Sequence, residues 1–146
     1  MRLRVIFSLV LVVAFASSCT PAFSVRLYNR TGHDVTVKWK DSYLAELTTG
    51  KDKIVGSAHD WDAKNLVSVT SGVVVTEYRI PDLWDLPKEA MRAMLFPAAG
   101  GSRECCLELG VDYVVYALHA ETLQRLDPQP SGFPIAPLEK TERADL

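Results

Sequence analysis

Apolar and polar residues alternating with a period of two limit the fold of this chain more than any other feature. Along 23–28, Phe23, Val25 and Leu27 fall on one side and Ser24, Arg26 and Tyr28 on the other. Successive side chains of an extended strand point to opposite faces, so such a run makes a half-buried β-strand. The pattern returns along 33–39, with Val35, Val37 and Trp39 against Asp34, Thr36 and Lys38. Asn29-Arg30-Thr31-Gly32 between them has turn chemistry, and the pair predicts a hairpin. Further strand-like runs cover Tyr43 to Leu47, Lys53 to Gly56, Leu66 to Thr70, Val73 to Ile80, Arg103 to Leu109 and Tyr113 to His119. Ser71-Gly72 predicts a two-residue hairpin loop, and Gly110-Val111-Asp112 a second turn.

One segment breaks this rhythm. Near 86–96, Leu86, Ala90 and Met94 recur at four-residue spacing with Met91 and Leu95 beside them, Asp85 can cap, and Pro87 suits a first helical turn. Pro97 and Gly100-Gly101 end the expected helix. From Asp127 the composition shifts to a proline-rich tail, 127–146, carrying Pro128, Pro130, Pro134 and Pro137. Prolines at that density exclude a central strand and favour extended polyproline II. Phe133 and Ile135 are expected to lay this tail across the domain, and the charged residues Glu139 to Asp145 to fray. About eight short strands with no strand–helix–strand alternation predict a mainly β fold. The expectation is a single antiparallel β-sandwich over 23–126 with one short inserted helix. In outline this layout resembles immunoglobulin-like or transthyretin-like periplasmic modules, and no residue motif selects between them.

The first residues carry an address. Arg2 and Arg4 precede an apolar run from Val5 to Ala16, and Ser17-Ser18 lead into Cys19. A basic start, an apolar stretch of about 7–15 residues and a small-residue exit describe a secretory signal; a membrane span needs about 20 apolar residues. Ala16-Ser17-Ser18-Cys19 resembles the lipobox of bacterial lipoprotein precursors, with Ala16 where that pattern prefers Leu. The resemblance implies removal of 1–18, a lipid on the Cys19 sulfur and an acylated new amino terminus. Thr20 stands where an Asp would divert such a protein from the outer membrane, so the implied location is the outer membrane, facing the periplasm. Ala14-Phe15-Ala16 fits an ordinary A-x-A cleavage site, and that cut would release a soluble periplasmic protein. With Cys19 lipidated, the linker 19–22 spans at most about 14 Å. The domain then lies close to the bilayer, reached through the lipid on Cys19.

Removal of 1–18 leaves 128 of the 146 residues, one domain's worth. Arg2 and Arg4 leave with it, so 14 Lys and Arg face 18 Asp and Glu, a formal charge of −4. A mildly acidic chain without a basic stripe argues against nucleic acid or an anionic membrane surface as a partner.

Three groups of residues carry chemistry worth weighing. Cys105 and Cys106 are neighbours on an expected strand, so Cys105 shares a face with Leu107 and Leu109, and Cys106 with Glu104 and Glu108. Their Cα atoms lie about 3.8 Å apart, short of the usual disulfide range of about 4.4–6.8 Å. The plain expectation is a buried Cys105 and a covered or free Cys106; the alternatives are a strained vicinal switch, an intermolecular disulfide or a soft-metal site. His59, Asp60 and Asp62, around Trp61, form the densest polar cluster, but the glycine and distal glutamate of a calcium loop are absent and no GxSxG accompanies them. Trp84, Met91 and Met94 suggest an interaction surface, since aromatics and methionine favour recognition. No residue set implies a catalytic centre, a metal or a cofactor. The leading expectation is therefore a membrane-anchored, non-enzymatic binding or assembly module whose partner is another envelope protein. The competing class is a soluble periplasmic enzyme, or a metal or thiol module, using His59-Asp60-Asp62 or Cys105-Cys106.

Overall fold

A computed structural model describes residues 23–39, 43–57, 66–97 and 102–142, with Tyr43 and Leu44 described by their backbone. Cys19 and the signal-like residues before it, and the His59–Asp62 cluster, lie outside the described residues. The fold is mainly β. Its strands are β1 (Phe23–Asn29), β2 (Val35–Trp39), β3 (Tyr43–Leu47), β4 (Asp52–Ser57), β5 (Leu66–Ser71), β6 (Val74–Arg79), β7 (Leu95–Pro97), β8 (Arg103–Leu109), β9 (Val115–Ala117) and β10 (Glu139–Glu142). One sheet has the order β4-β1-β8-β7, with β9 also paired to β8. The other has the order β10-β6-β5-β2-β3.

The second sheet is antiparallel throughout, whereas the first is mixed, because β1 and β8 run parallel with Phe23 opposite Arg103 and Asn29 opposite Leu109. Parallel neighbours need a long crossover connection. Here the chain between them builds four strands of the second sheet, β2, β3, β5 and β6, and β10 joins that sheet later.

The expected hairpin between 23–28 and 33–39 is absent. β1 pairs with β4 and β8, and β2 with β3 and β5. The segment between them crosses from one sheet to the other. Asn29 explains the corner. Its fully buried amide donates to the carbonyls of His33 at 2.8 Å and Leu47 at 2.9 Å, and its Oδ1 accepts from the Thr31 N–H and hydroxyl. Its own backbone N–H donates to Lys51 O, and that of Arg30 to Leu109 O. Alternation sets which face a residue takes but not which strand it pairs with.

Two expected hairpins do form. β5 and β6 pair across Gly72-Val73, one residue later than expected, with Gly72 in the left-handed region at φ +57°. β8 and β9 pair with Leu109 opposite Val115.

The helix is shorter than its pattern predicts. A 3-10 turn, Leu83–Asp85, is capped by Asp82, which accepts the Trp84 N–H at 2.9 Å; Asp85, expected to cap the helix, lies inside this turn, and the helix has Pro87 at its N-cap with no side-chain cap. Leu86 is extended ahead of Pro87, as residues preceding proline prefer, and α1 runs only Lys88–Met94. Leu95–Pro97, expected in the helix or at its end, pairs with β8 instead.

One apolar core draws on both sheets: Val25, Leu27, Cys105 and Leu107 from the first, and Val37, Trp39, Val69 and Tyr78 from the second. Phe133 and Ile135 join it, and Ile135 exchanges both backbone hydrogen bonds with Val115. Glu139–Glu142, expected to fray, adds to β6 as an edge strand with all four residues exposed. Charged side chains on an edge discourage further pairing.

Candidate functional site

The register of the strands gives the molecule two poles. At one, the N-terminal ends of β1 and β8 meet the C-terminal end of β6 and the Trp84 turn; Phe23 lies opposite Arg103, and its ring centroid is 4.9 Å from that of Trp84. At the other, the C-terminal ends of β1 and β8 meet the start of β2, with the β5–β6 and β8–β9 loops. A groove of about 640 Å³ opens at this second pole. That volume falls in the usual range for small-ligand sites, about 300–1,000 Å³.

His33, Asp34, Thr76, Tyr113, Lys140 and Glu142 are among the residues that line it. Lys140 stands opposite Thr76 and Glu142 opposite Val74 across the β10–β6 ladder, so both charged residues share the groove wall. Lys140 Nζ lies 5.5 Å from the centre of the Tyr113 ring. Thr76 is fully buried, and its hydroxyl has no hydrogen-bond partner among the described residues. Tyr113 adopts φ +58°, uncommon for a residue with a Cβ. The buried Tyr78 hydroxyl holds it there by donating to the Tyr113 carbonyl at 2.7 Å. Burial raises the Tyr78 pKa far above the ordinary phenol value, so this hydroxyl stays a donor at any physiological pH. Tyr78→Phe therefore leaves that carbonyl without its partner and is expected to lower stability by about 1–1.5 kcal/mol, read from the urea midpoint.

A smaller depression of about 320 Å³ lies on the outer face of the first sheet, over Cys106. Arg26 organises it. Its Nε and Nη2 meet Glu104 on β8 at 2.5 and 3.1 Å, and Nη1 meets Asp52 on β4, joining three strands. The Glu104 hydrogen bond, with Asp52 in support, holds the Arg26 pKa above its ordinary value against partial burial. Cys106 is only 2 % exposed and sits with Leu118, Ala120, Tyr28 and Leu123. Burial, then the neighbouring Glu104 charge, push its thiol up to about 11 despite Arg26. Cys105 lies on the opposite face in the main core, its pKa raised further by complete burial. Both cysteines are free thiols. Neither is a ready nucleophile, because the thiolate is the reactive form.

A third cluster ties the fold together. Glu108, 1 % exposed, accepts from Arg125 Nε at 2.9 Å and Nη2 at 2.6 Å on one oxygen. Its other oxygen pairs with Arg30 Nη1 at 3.0 Å, off hydrogen-bonding geometry. Arg125 covers the Tyr116 ring at 3.6 Å, and the Tyr116 hydroxyl donates to Asp112. These contacts brace the β8–β9 hairpin. A Cβ at Gly110 would stand 2.6 Å from Asp112 Oδ1, 3.0 Å from Arg125 Nη2 and 3.1 Å from the Tyr116 ring, so a larger residue there would displace these side-chain ends.

Trp84, Met91 and Met94 do not form one surface. Trp84 is 42 % exposed, Met91 is partly buried against the core, and Met94 is fully buried in it. Met94 is the inward-facing residue of α1 and is removed from the interaction surface. Among the described residues, no three His, Cys, Asp or Glu side chains gather as a metal site, and no helix is long and apolar enough to cross a membrane. Thr76, Tyr113 and Lys140 were not singled out by sequence. They come together only through the β10–β6 ladder and the left-handed turn at Tyr113. Comparison with protein families, curated proteins and solved structures finds no match to this chain.

Proposed function

We propose that this chain is a membrane-anchored periplasmic lipoprotein of the bacterial outer membrane, held by lipid on Cys19 and acting as a non-enzymatic binding or assembly module of the cell envelope. In this reading the two sheets form an immunoglobulin-like or transthyretin-like sandwich, and the partner is another envelope protein. The observation that carries the proposal is the separation of the poles. A tether of four residues, 19–22, leads directly into Phe23 at one end, while the groove of Tyr113, Thr76 and Lys140 opens at the other. A lipid at the first end turns the second toward the periplasm, where a partner can reach it.

The thiol alternative has the depression over Cys106 in its favour, but a thiol pushed up to about 11 stays protonated at neutral pH. A binding module fits these groups better than thiol chemistry.

The test is photo-crosslinking in intact cells, with a photoreactive residue replacing Tyr113 or Lys140 and, as control, Lys53 on β4. The proposal expects a discrete adduct with an envelope protein from the groove positions and none from Lys53. Groove positions that yield no adduct, or the same adducts as Lys53, would count against it.

A further inference from the structure

The pole at Phe23 carries an exposed tryptophan. Trp84 is 42 % exposed, Phe96 44 % and Leu66 39 %. Phe96, opposite Glu104, faces outward from the first sheet beside the Cys106 depression, and Leu66, opposite Arg79, faces outward from the second, so of the three it is Trp84 that stands against Phe23. Trp84 leans on Phe23 itself, with 54° between the ring planes. The opposite pole exposes Val73 and Val111, and no aromatic residue among those described is as exposed there.

We propose that this pole is a membrane-contact surface, with Trp84 seated in the headgroup layer of a phospholipid bilayer. The inference rests on the anchoring of Cys19 and names what the anchored domain touches. The chain outside the described residues supplies the argument for this occupant. From Cys19 to Phe23 it spans at most about 14 Å fully extended. A lipid at Cys19 thus brings the bilayer to the end of the domain that carries Trp84. An indole combines an apolar body with a polar N–H and favours the membrane–water boundary.

The test uses the full lipidated protein, purified from the membrane fraction and reconstituted in vesicles of phosphatidylcholine and phosphatidylglycerol. The intact mass of the same sample reports whether Cys19 carries lipid. Subtracting the emission of Trp84→Phe from that of the parent isolates Trp84 from Trp39 and Trp61, and the phenyl ring preserves packing against Phe23. The expected result is a blue-shifted Trp84 component, lost when the vesicle lipids carry bromine near the glycerol backbone. An unshifted component that is equally bright in plain and brominated vesicles, on protein whose mass shows the lipid, overturns the contact surface and leaves the anchor intact. A mass without lipid overturns the anchor and this inference with it.

Discussion

Asn29→Ala is expected to destabilise the protein by about 2–4 kcal/mol, measured as a fall in the urea midpoint with little change in slope. Asn29 is fully buried, and its side chain satisfies two backbone carbonyls, His33 O and Leu47 O, while accepting from Thr31 twice. Truncation removes the amide from the buried Leu47 carbonyl and the acceptor from the buried Thr31 N–H, while His33 O keeps the Thr31 hydroxyl at 3.0 Å, and each orphaned buried group costs about 1–3 kcal/mol. The loss falls where the chain passes between sheets, so the variant also tests whether this corner is held by one side chain. Asn29→Asp is the informative companion. It keeps the acceptor toward Thr31 and removes both donated bonds, so it too is expected to be destabilised. A variant with alanine at 29 that melts like the parent would show that the crossover is held by backbone bonds alone.

The second large effect concerns Cys106. A thiol moved from its ordinary value of 9.0 up to about 11 has a thiolate fraction at neutral pH about 100-fold lower than an unperturbed one. Native protein is therefore expected to react with iodoacetamide at least about 100-fold more slowly than an unfolded control, and both Cys105 and Cys106 are expected to label in denaturant. The same shift makes stability depend on pH. Between about 9 and about 11 the unfolded chain releases this proton while the folded chain keeps it. Stability is then complete below pH 9 and declines as pH rises through that window, with Cys105 acting in the same direction. Rapid labelling of Cys106 at pH 7 would mean that the cover of Tyr28 and Leu123 opens readily, and would revive thiol chemistry at the Arg26 depression.

How much of this was legible beforehand depends on the kind of information a residue carries. The alternation of Phe23, Val25 and Leu27 with Ser24, Arg26 and Tyr28 appears in β1 as a strictly alternating burial pattern, because side-chain direction is a local property of an extended chain. Pairing is not local. The hairpin expected at Asn29-Arg30-Thr31-Gly32 became a crossover, since the buried amide of Asn29 ties that loop to Leu47, 18 residues on. The parallel β1–β8 pair joins residues some 80 positions apart and leaves no periodic trace.

Edge elements were missed for a different reason. Glu139–Glu142 has neither apolar alternation nor β-branched enrichment, and it is a strand because β6 offers free backbone groups to pair with. The groove followed from that omission. Without β10, Lys140 and Glu142 have no place beside Thr76, and Tyr113 is merely a residue after a turn. Opposite faces for Cys105 and Cys106 could be read from strand geometry, but the lid over Cys106 comes from Leu118, Ala120 and Leu123, which a later return of the chain brings across.

The measurement closest to the centre of the account is the intact mass of the mature protein, taken separately from the membrane pellet and from the fluid released by spheroplasts. The account predicts a chain beginning at Cys19 and heavier by a diacylglyceryl group and an amino-terminal acyl chain, found in the pellet, and its disappearance from the pellet on Cys19→Ser. An unmodified chain beginning at Ser17 and recovered in the released fluid would contradict it.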